Sequence, residues 1–159
     1  MSEKTETEKK DIFDKLMSLP GLRIFEPFYK KYKEVLLYLL FGGLAFFLYM
    51  GIFYLFDKTG MNELVNTCID WVICVLFQFY TNRTWVFDAE VDSKAGFFKQ
   101  MGSFFAGRFF TLIVDEAITA IFITWLSFPK MPVKLVGQVV VIVLNYVISK
   151  LIVFKKKED

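Results

Sequence analysis

The first long apolar run of the sequence reads VLLYLLFGGLAFFLYMGIFYLF, from Val35 to Phe56, and contains no charged residue. A helix that crosses the hydrocarbon core of a bilayer needs about 20 predominantly apolar residues. The run has that length, and the whole chain of 159 residues is 55% hydrophobic with a mean hydropathy of +0.45. This composition indicates a membrane protein rather than a soluble domain.

Three further apolar segments follow, and mostly short polar turns separate them. We predict an all-α membrane protein with four transmembrane helices, at about residues 35–56, 64–81, 100–127 and 133–154. Residues 34–159 would form this four-helix domain. Residues 1–33 would be a cytoplasmic segment, disordered at its charged start and then folded as amphipathic helices on the membrane surface.

The distribution of positive charge predicts the orientation of the helices. Cytoplasmic loops of membrane proteins carry an excess of Lys and Arg. The two termini and the loop between the second and third helices carry fifteen Lys and Arg, whereas the other two loops and their helix ends carry three. Both termini are therefore expected in the cytoplasm.

A decapeptide pattern occurs twice, at the predicted cytoplasmic ends of the second and fourth helices. QFYTNRTWVF spans Gln78–Phe87, and NYVISKLIVF spans Asn145–Phe154, 67 residues further on. Both carry an amide, an aromatic residue, a small polar residue, a cation, Val and Phe in the same order. Because each unit is a two-helix hairpin, both copies keep the same orientation, which predicts a parallel internal repeat.

Polar residues recur at helical spacing inside three of the four apolar segments. Residues four apart share a helix face, and Arg108, Asp115 and Glu116 lie deep inside the third segment. A charged residue at the bilayer centre costs about 2.5–3.5 kcal/mol on insertion scales. The sequence leaves two interpretations open: structural pairing between helices, or a polar cavity that admits a charged lipid headgroup.

Several function classes are excluded by residue usage. The chain has no His and two Cys, six residues apart in one apolar segment, which argues against zinc chemistry, a disulfide or a Ser/His triad. We expect no enzyme activity, cofactor or metal site. Nucleic-acid binding is not expected either, since the basic residues lie at membrane edges, where topology accounts for them.

The sequence resembles the GtrA-like family over about residues 35–155. The residues that carry the resemblance are Asn66, Trp71, Phe79, Asn82, Arg83, Trp85 and Phe87, then Asn145, Tyr146, Lys150 and Phe154. The resemblance implies a multi-pass protein of the cell membrane that moves a polyprenyl-phosphate-linked sugar, such as undecaprenyl-phosphate glucose, for glycosylation of cell-surface polysaccharide. It implies membrane glycosyltransferases as partners. It also leaves open a non-transporting anchor or regulatory subunit of such an enzyme.

The candidate site residues follow from the repeated motif and the charges inside the apolar segments. The phosphate group would be bound by Arg83 and Lys150 at the cytoplasmic entrance and by Arg108 deeper in the membrane, because charge-assisted hydrogen bonds to phosphate are strong. The candidates for contact with the sugar or headgroup are Asn66, Asp70, Gln78, Asn82, Asp115, Glu116 and Asn145. Asp70 and the two carboxylates of the third segment could alternatively balance Arg108.

Two further expectations concern assembly and an alternative cargo. A bundle this small, with polar stripes on one side, is expected to form a homo-oligomer. Small multidrug exporters share its size and helix number, but they carry their membrane carboxylate on the first helix, and this first helix has none. The basic stripes also suit an anion better than a cation.

Overall fold

The computed structural model describes residues 12–17, 19, 21, 23–89 and 93–155, and this part of the chain is helical with no β-strand. The predicted all-α class is therefore confirmed for these residues. The helices are α1 (Ile12–Met17), α2 (Glu26–Asp57), α3 (Glu63–Thr81), α4 (Lys94–Ile118) and α5 (Lys130–Ile148), with a 3₁₀ turn at Arg23–Phe25. The predicted disorder of the first ten residues lies outside the described residues.

Three helices end in a π-helical segment. These segments are Asn82–Val86 after α3, Thr119–Trp125 after α4 and Ser149–Val153 after α5. With these extensions, Glu63–Val86 and Lys130–Val153 are long and apolar enough to cross a membrane, as is α2. The helix Lys94–Trp125 carries Arg108, Asp115 and Glu116 within its apolar stretch. That this helix crosses the membrane and that both termini lie in the cytoplasm stay predictions.

The first transmembrane helix begins earlier than its apolar run. α2 starts at Glu26, with Pro27 in its first turn, and bends at Tyr32, where the backbone leaves helical geometry (φ −118°, ψ 16°). The short helix α1 packs against it, since the Phe13 and Phe41 rings meet edge-on at 5.7 Å between centroids. The bend separates residues 26–31, which lie in the predicted surface segment, from the part of α2 that carries the apolar run.

Local sequence explains where α3 and α4 begin. The Asn62 side chain accepts a hydrogen bond from the Leu64 backbone at 3.0 Å, and the Ser93 hydroxyl accepts one from Gly96 at 3.0 Å. Both side chains satisfy amide groups that a helix start leaves without partners. The α2–α3 turn passes through Gly60 at φ +73°, a conformation that costs glycine little.

The chain forms two hairpins, α2–α3 and α4–α5, that meet at an aromatic core. Phe79 of the first hairpin contacts Phe104 and Phe154 of the second, with ring centroids 5.6 and 5.9 Å apart. All three side chains are buried. The outer faces of the helices expose large apolar side chains, as expected of helices surrounded by lipid.

The repeated decapeptide encodes the same helix ending in both hairpins. The Phe87 amide donates to the Asn82 carbonyl at 2.9 Å, and the Phe154 amide donates to the Ser149 carbonyl at 2.8 Å, each closing a π turn five residues long. The two terminal rings then stack on each other at 5.2 Å with an interplanar angle of 22°. Short π segments often occur at functional sites, and here they aim the two repeat cations.

Candidate anion-binding site

Arg83 lies on the first π segment and reaches across to the other hairpin. Its Nε donates to Gln100 Oε1 at 3.3 Å, and its guanidinium carbon lies 5.2 Å from the centre of the Phe97 ring, both on α4. Within the described ranges, no carboxylate lies within ion-pair distance of this side chain. Among the described residues, Arg83 is therefore held in place by neutral groups, an amide and a ring face.

Lys150 occupies the equivalent position on the second π segment and also reaches the other hairpin. Its Nζ lies 2.9 Å from Oε1 and donates at 3.0 Å to Oε2 of Glu34 on α2. The Tyr146 hydroxyl donates to Glu34 Oε1 at 2.9 Å and accepts from Lys150 Nζ at 3.2 Å. The two repeat cations thus differ, since Arg83 meets a neutral amide and Lys150 meets a carboxylate.

Arg108 lies further along α4, between the hairpins. Its guanidinium carbon is 4.8 Å from the centre of the Phe104 ring, and its buried Nε has no hydrogen-bond partner among the described residues. The Tyr38 side chain of α2 is close enough to the guanidinium to interact with it electrostatically, and its ring packs edge-on against Tyr146 at 5.3 Å. Two tyrosines therefore connect Arg108 to the Lys150 ion pair.

The arrangement has unused capacity for an anion. Neither arginine pairs with a carboxylate in the part of the chain that the structure describes. A guanidinium presents five N–H donors in a planar fork that matches phosphate geometry. Arg83, Arg108, Lys150, Glu34 and Tyr146 are called the anion cluster below as a set of candidate residues; within the set, the direct contacts are those among Lys150, Glu34 and Tyr146.

Two predicted amides lie beside this cluster. Asn145, which is nearly buried on α5, accepts a hydrogen bond from the Thr111 hydroxyl of α4 at 2.8 Å. Asn82 is buried, and its amide donates to the carbonyl of Gln78 at 2.7 Å, while its Oδ1 has no donor in the described part of the chain. The half-buried Gln78 takes part through this backbone carbonyl.

The remaining predicted residues lie elsewhere. Asn66 and Asp70 are fully buried on α3, and Asn66 donates to the Phe53 carbonyl of α2 at 3.1 Å. Asp115 lies 3.6 Å from Lys134 of α5, and Glu116 is exposed. The structure does not bring these three carboxylates to Arg108, so the alternative in which they balance its charge has no geometric support.

Sequence reasoning missed Glu34, Gln100 and the two tyrosine hydroxyls. Glu34 immediately precedes the first apolar run, and Gln100 opens the third predicted helix, so both have the ordinary appearance of residues at helix ends. One signal could have found them. Each of these two residues lies near the start of the first helix of its hairpin, whereas each repeat cation lies near the end of the second helix of its hairpin. A parallel repeat brings these two kinds of helix end together.

The fold defines a class, a small helical membrane protein built from two repeated hairpins. Residues 37–154 match the family described as GtrA/DPMS, transmembrane domain. The chain belongs to this family, which confirms the resemblance seen in the sequence, and it is a multi-pass protein of the cell membrane.

Several bacterial relatives are similar over most of their length. The chain is 32% identical over 126 residues to the cell wall teichoic acid glycosylation protein GtcA of Listeria innocua serovar 6a, covering 79% of this chain and 87% of that protein. It is 34% identical over 127 residues to GtcA of Listeria monocytogenes serovar 1/2a, with the same coverage. It is 27% identical over 124 residues to the membrane protein YwcD of Bacillus subtilis strain 168, covering 77% of this chain and 98% of that protein.

Proposed function

We propose that this protein acts in glycosylation of cell-surface polysaccharide by moving a polyprenyl-phosphate-linked monosaccharide across the cell membrane. The GtcA relatives, named for teichoic acid glycosylation, support the general role. The anion cluster supports the finer one. The cargo has one phosphate charge, a polar sugar and a long apolar tail that can stay in lipid.

The observation that carries the proposal is the environment of Arg108. A charge inside a membrane segment is costly, about 2.5–3.5 kcal/mol at the helix centre, and such residues normally pair with an opposite charge. Arg108 lies over the face of the Phe104 ring and near Tyr38, and its buried Nε donates to nothing in the described structure. A phosphate of the cargo would supply the missing acceptor.

The two hairpins suggest the order of contacts. With both termini in the cytoplasm, Arg83 and Lys150 lie at the cytoplasmic ends of their helices and would meet the phosphate first. Arg83 meets only neutral groups among the described residues, whereas Lys150 would become available when Glu34 is displaced. Arg108 would receive the phosphate deeper in the membrane, while Asn82, Asn145 and the tyrosine hydroxyls contact the sugar.

The test is a translocation assay on purified protein in liposomes. A short-chain polyprenyl-phosphate glucose is placed in the outer leaflet, and its protection from a membrane-impermeant reagent is followed. The Arg108→Gln variant should lose transfer, while Lys99→Gln, which removes an exposed cation from the same helix, should retain it. Full transfer by a correctly folded Arg108→Gln protein would refute the assignment.

A second candidate is a non-transporting subunit that anchors or regulates a polyprenyl-phosphate glycosyltransferase. The family description, which joins GtrA with the transmembrane domain of DPMS, favours it. The two candidates differ in one result. A subunit would co-purify with the enzyme and support its activity, yet would transfer no lipid when reconstituted alone.

Assembly is a separate part of the proposal. We expect a homo-oligomer that encloses the cargo path between copies. Crosslinking in native membranes would detect it, and a chain that transfers lipid while remaining monomeric would rule it out.

A further inference from the structure

A second polar group, separate from the anion cluster, lies inside the first hairpin. One face of α3 packs directly on the backbone of α2. Asn66 Nδ2 donates to the Phe53 carbonyl at 3.1 Å, and the Cys74 thiol lies 3.6 Å from the Ala45 carbonyl. Asp70 lies midway between them at four-residue spacing, so it shares their face. This contact between α2 and α3 is called the seam.

Asp70 is enclosed in the seam without a hydrogen-bond partner. Its side chain is 0% exposed, and neither carboxylate oxygen has a donor among the described residues. The Oδ1 of Asn66, one helical turn away, is also buried without a donor. The seam therefore holds three buried acceptor oxygens and too few donors.

An ionised Asp70 does not fit these surroundings. Burying an isolated carboxylate is so costly that the group takes its neutral form instead. No Lys or Arg pairs with Asp70 in the described structure. Cys74 on α3 interacts with Asp70 electrostatically, and Tyr49 is the titratable residue within the Ala45–Phe53 stretch of α2; neither carries a positive charge.

We propose that Asp70 is a proton-binding site: in the packed hairpin it carries a proton and donates it to Asn66 Oδ1. A single proton neutralises the buried Asp70 carboxylate and also provides a hydrogen-bond donor for Asn66 Oδ1. A proton also needs no added volume, which suits a side chain with no exposed surface. A metal ion would need several further oxygen ligands and the room to hold them.

The proposal gives the seam a chemical function. When α2 and α3 separate enough to admit water, the carboxyl group ionises and its proton passes to that water. When they pack again, the group must take up a proton. Opening and closing of the first hairpin is thereby linked to proton concentration, whatever cargo the protein moves.

The test is infrared difference spectroscopy of the full chain in lipid nanodiscs, without cargo. A protonated carboxyl group has a C=O stretching band that a carboxylate lacks. At neutral pH the wild-type protein should show this band, and Asp70→Asn should abolish it. The matched control is Asp115→Asn, which removes the carboxylate beside Lys134 and should leave the band unchanged.

Two further results keep the proposal falsifiable. Asn66→Ala removes the acceptor and should shift the band without abolishing it. A wild-type spectrum without a band assignable to Asp70, or a band that sodium ions remove at constant pH, would overturn the proposal. A flippase assay that fails while the band behaves as expected would instead count against the proposed function alone.

Discussion

Glu34→Gln is the substitution that best tests the asymmetry of the anion cluster. Glu34 places a carboxylate on Lys150, whereas the equivalent cation Arg83 meets the neutral Gln100. A resident carboxylate competes with a phosphate for the same ammonium group. Replacing Glu34 with glutamine, the residue type that contacts the cation of the other hairpin, should therefore strengthen binding of a phosphate-headed lipid.

The size of the effect follows from the exposure of the pair. The Glu34 and Lys150 side chains are 34% and 46% exposed, so the ion pair belongs to the weak class, worth about 0.2–1 kcal/mol. The Tyr146 hydroxyl adds one hydrogen bond to the carboxylate, and such bonds contribute about 0.5–1.5 kcal/mol. Since the glutamine amide retains part of these contacts, we expect a gain of about 1 kcal/mol, or about fivefold in Kd.

The assay is equilibrium binding of a short-chain polyprenyl phosphate to the protein in nanodiscs. The reciprocal control is Gln100→Glu, which places a carboxylate on Arg83 and should weaken binding by a similar factor. Thermal unfolding establishes that both variants are folded. Unchanged or weaker binding by a folded Glu34→Gln protein would refute the idea that Glu34 competes with the cargo.

Three further predictions concern α4 and its neighbours. Arg108→Lys keeps the charge but loses the planar guanidinium fork, so lipid transfer in liposomes should fall about tenfold. The unfolding temperature should stay within error, because the substitution leaves no carboxylate of the described structure without its partner. Gly107→Ala should lower the free energy of unfolding in detergent by about 1–3 kcal/mol, since the new Cβ would lie 2.8 Å from Ile148 Cγ2. The control Gly102→Ala should be tolerated, because a Cβ at this position would have no neighbour within 4 Å. Asn145→Ala should cost about 0.5–1.5 kcal/mol of stability through its lost hydrogen bond from α4, and an unfolding curve like that of the wild type would contradict the bond.

Much of the fold could be predicted because its signals are local. Apolar runs of about 20 residues and short polar turns predict the helices of both hairpins. The bend of α2 at Tyr32 lies close to the predicted boundary at residue 33, where charges and a proline give way to the apolar run. The π segments left no recognisable signal beyond the repetition itself.

The residues of the candidate site could likewise be predicted only where their signal is local in the sequence. Arg83 and Lys150 could be singled out, because a repeated cation at a repeated helix end is visible in the chain. Their partners could not, since Gln100 and Glu34 lie 17 and 116 residues away from them. Asp70 shows the same limit, because its spacing placed it on a polar stripe without showing that the stripe faces the backbone of α2.

The sequence by itself determined the membrane class, the helical fold and the duplicated hairpin, since hydropathy, charge bias and repetition are properties of the chain read in order. Only the tertiary structure decided which charges are neutralised. Among the described residues, Lys150 pairs with Glu34 and Lys134 with Asp115, whereas Arg83 and Arg108 meet neutral side chains. The physical reason is that electrostatic pairing depends on distances of a few ångströms between helices, and helical spacing fixes a side chain's face without fixing what that face meets.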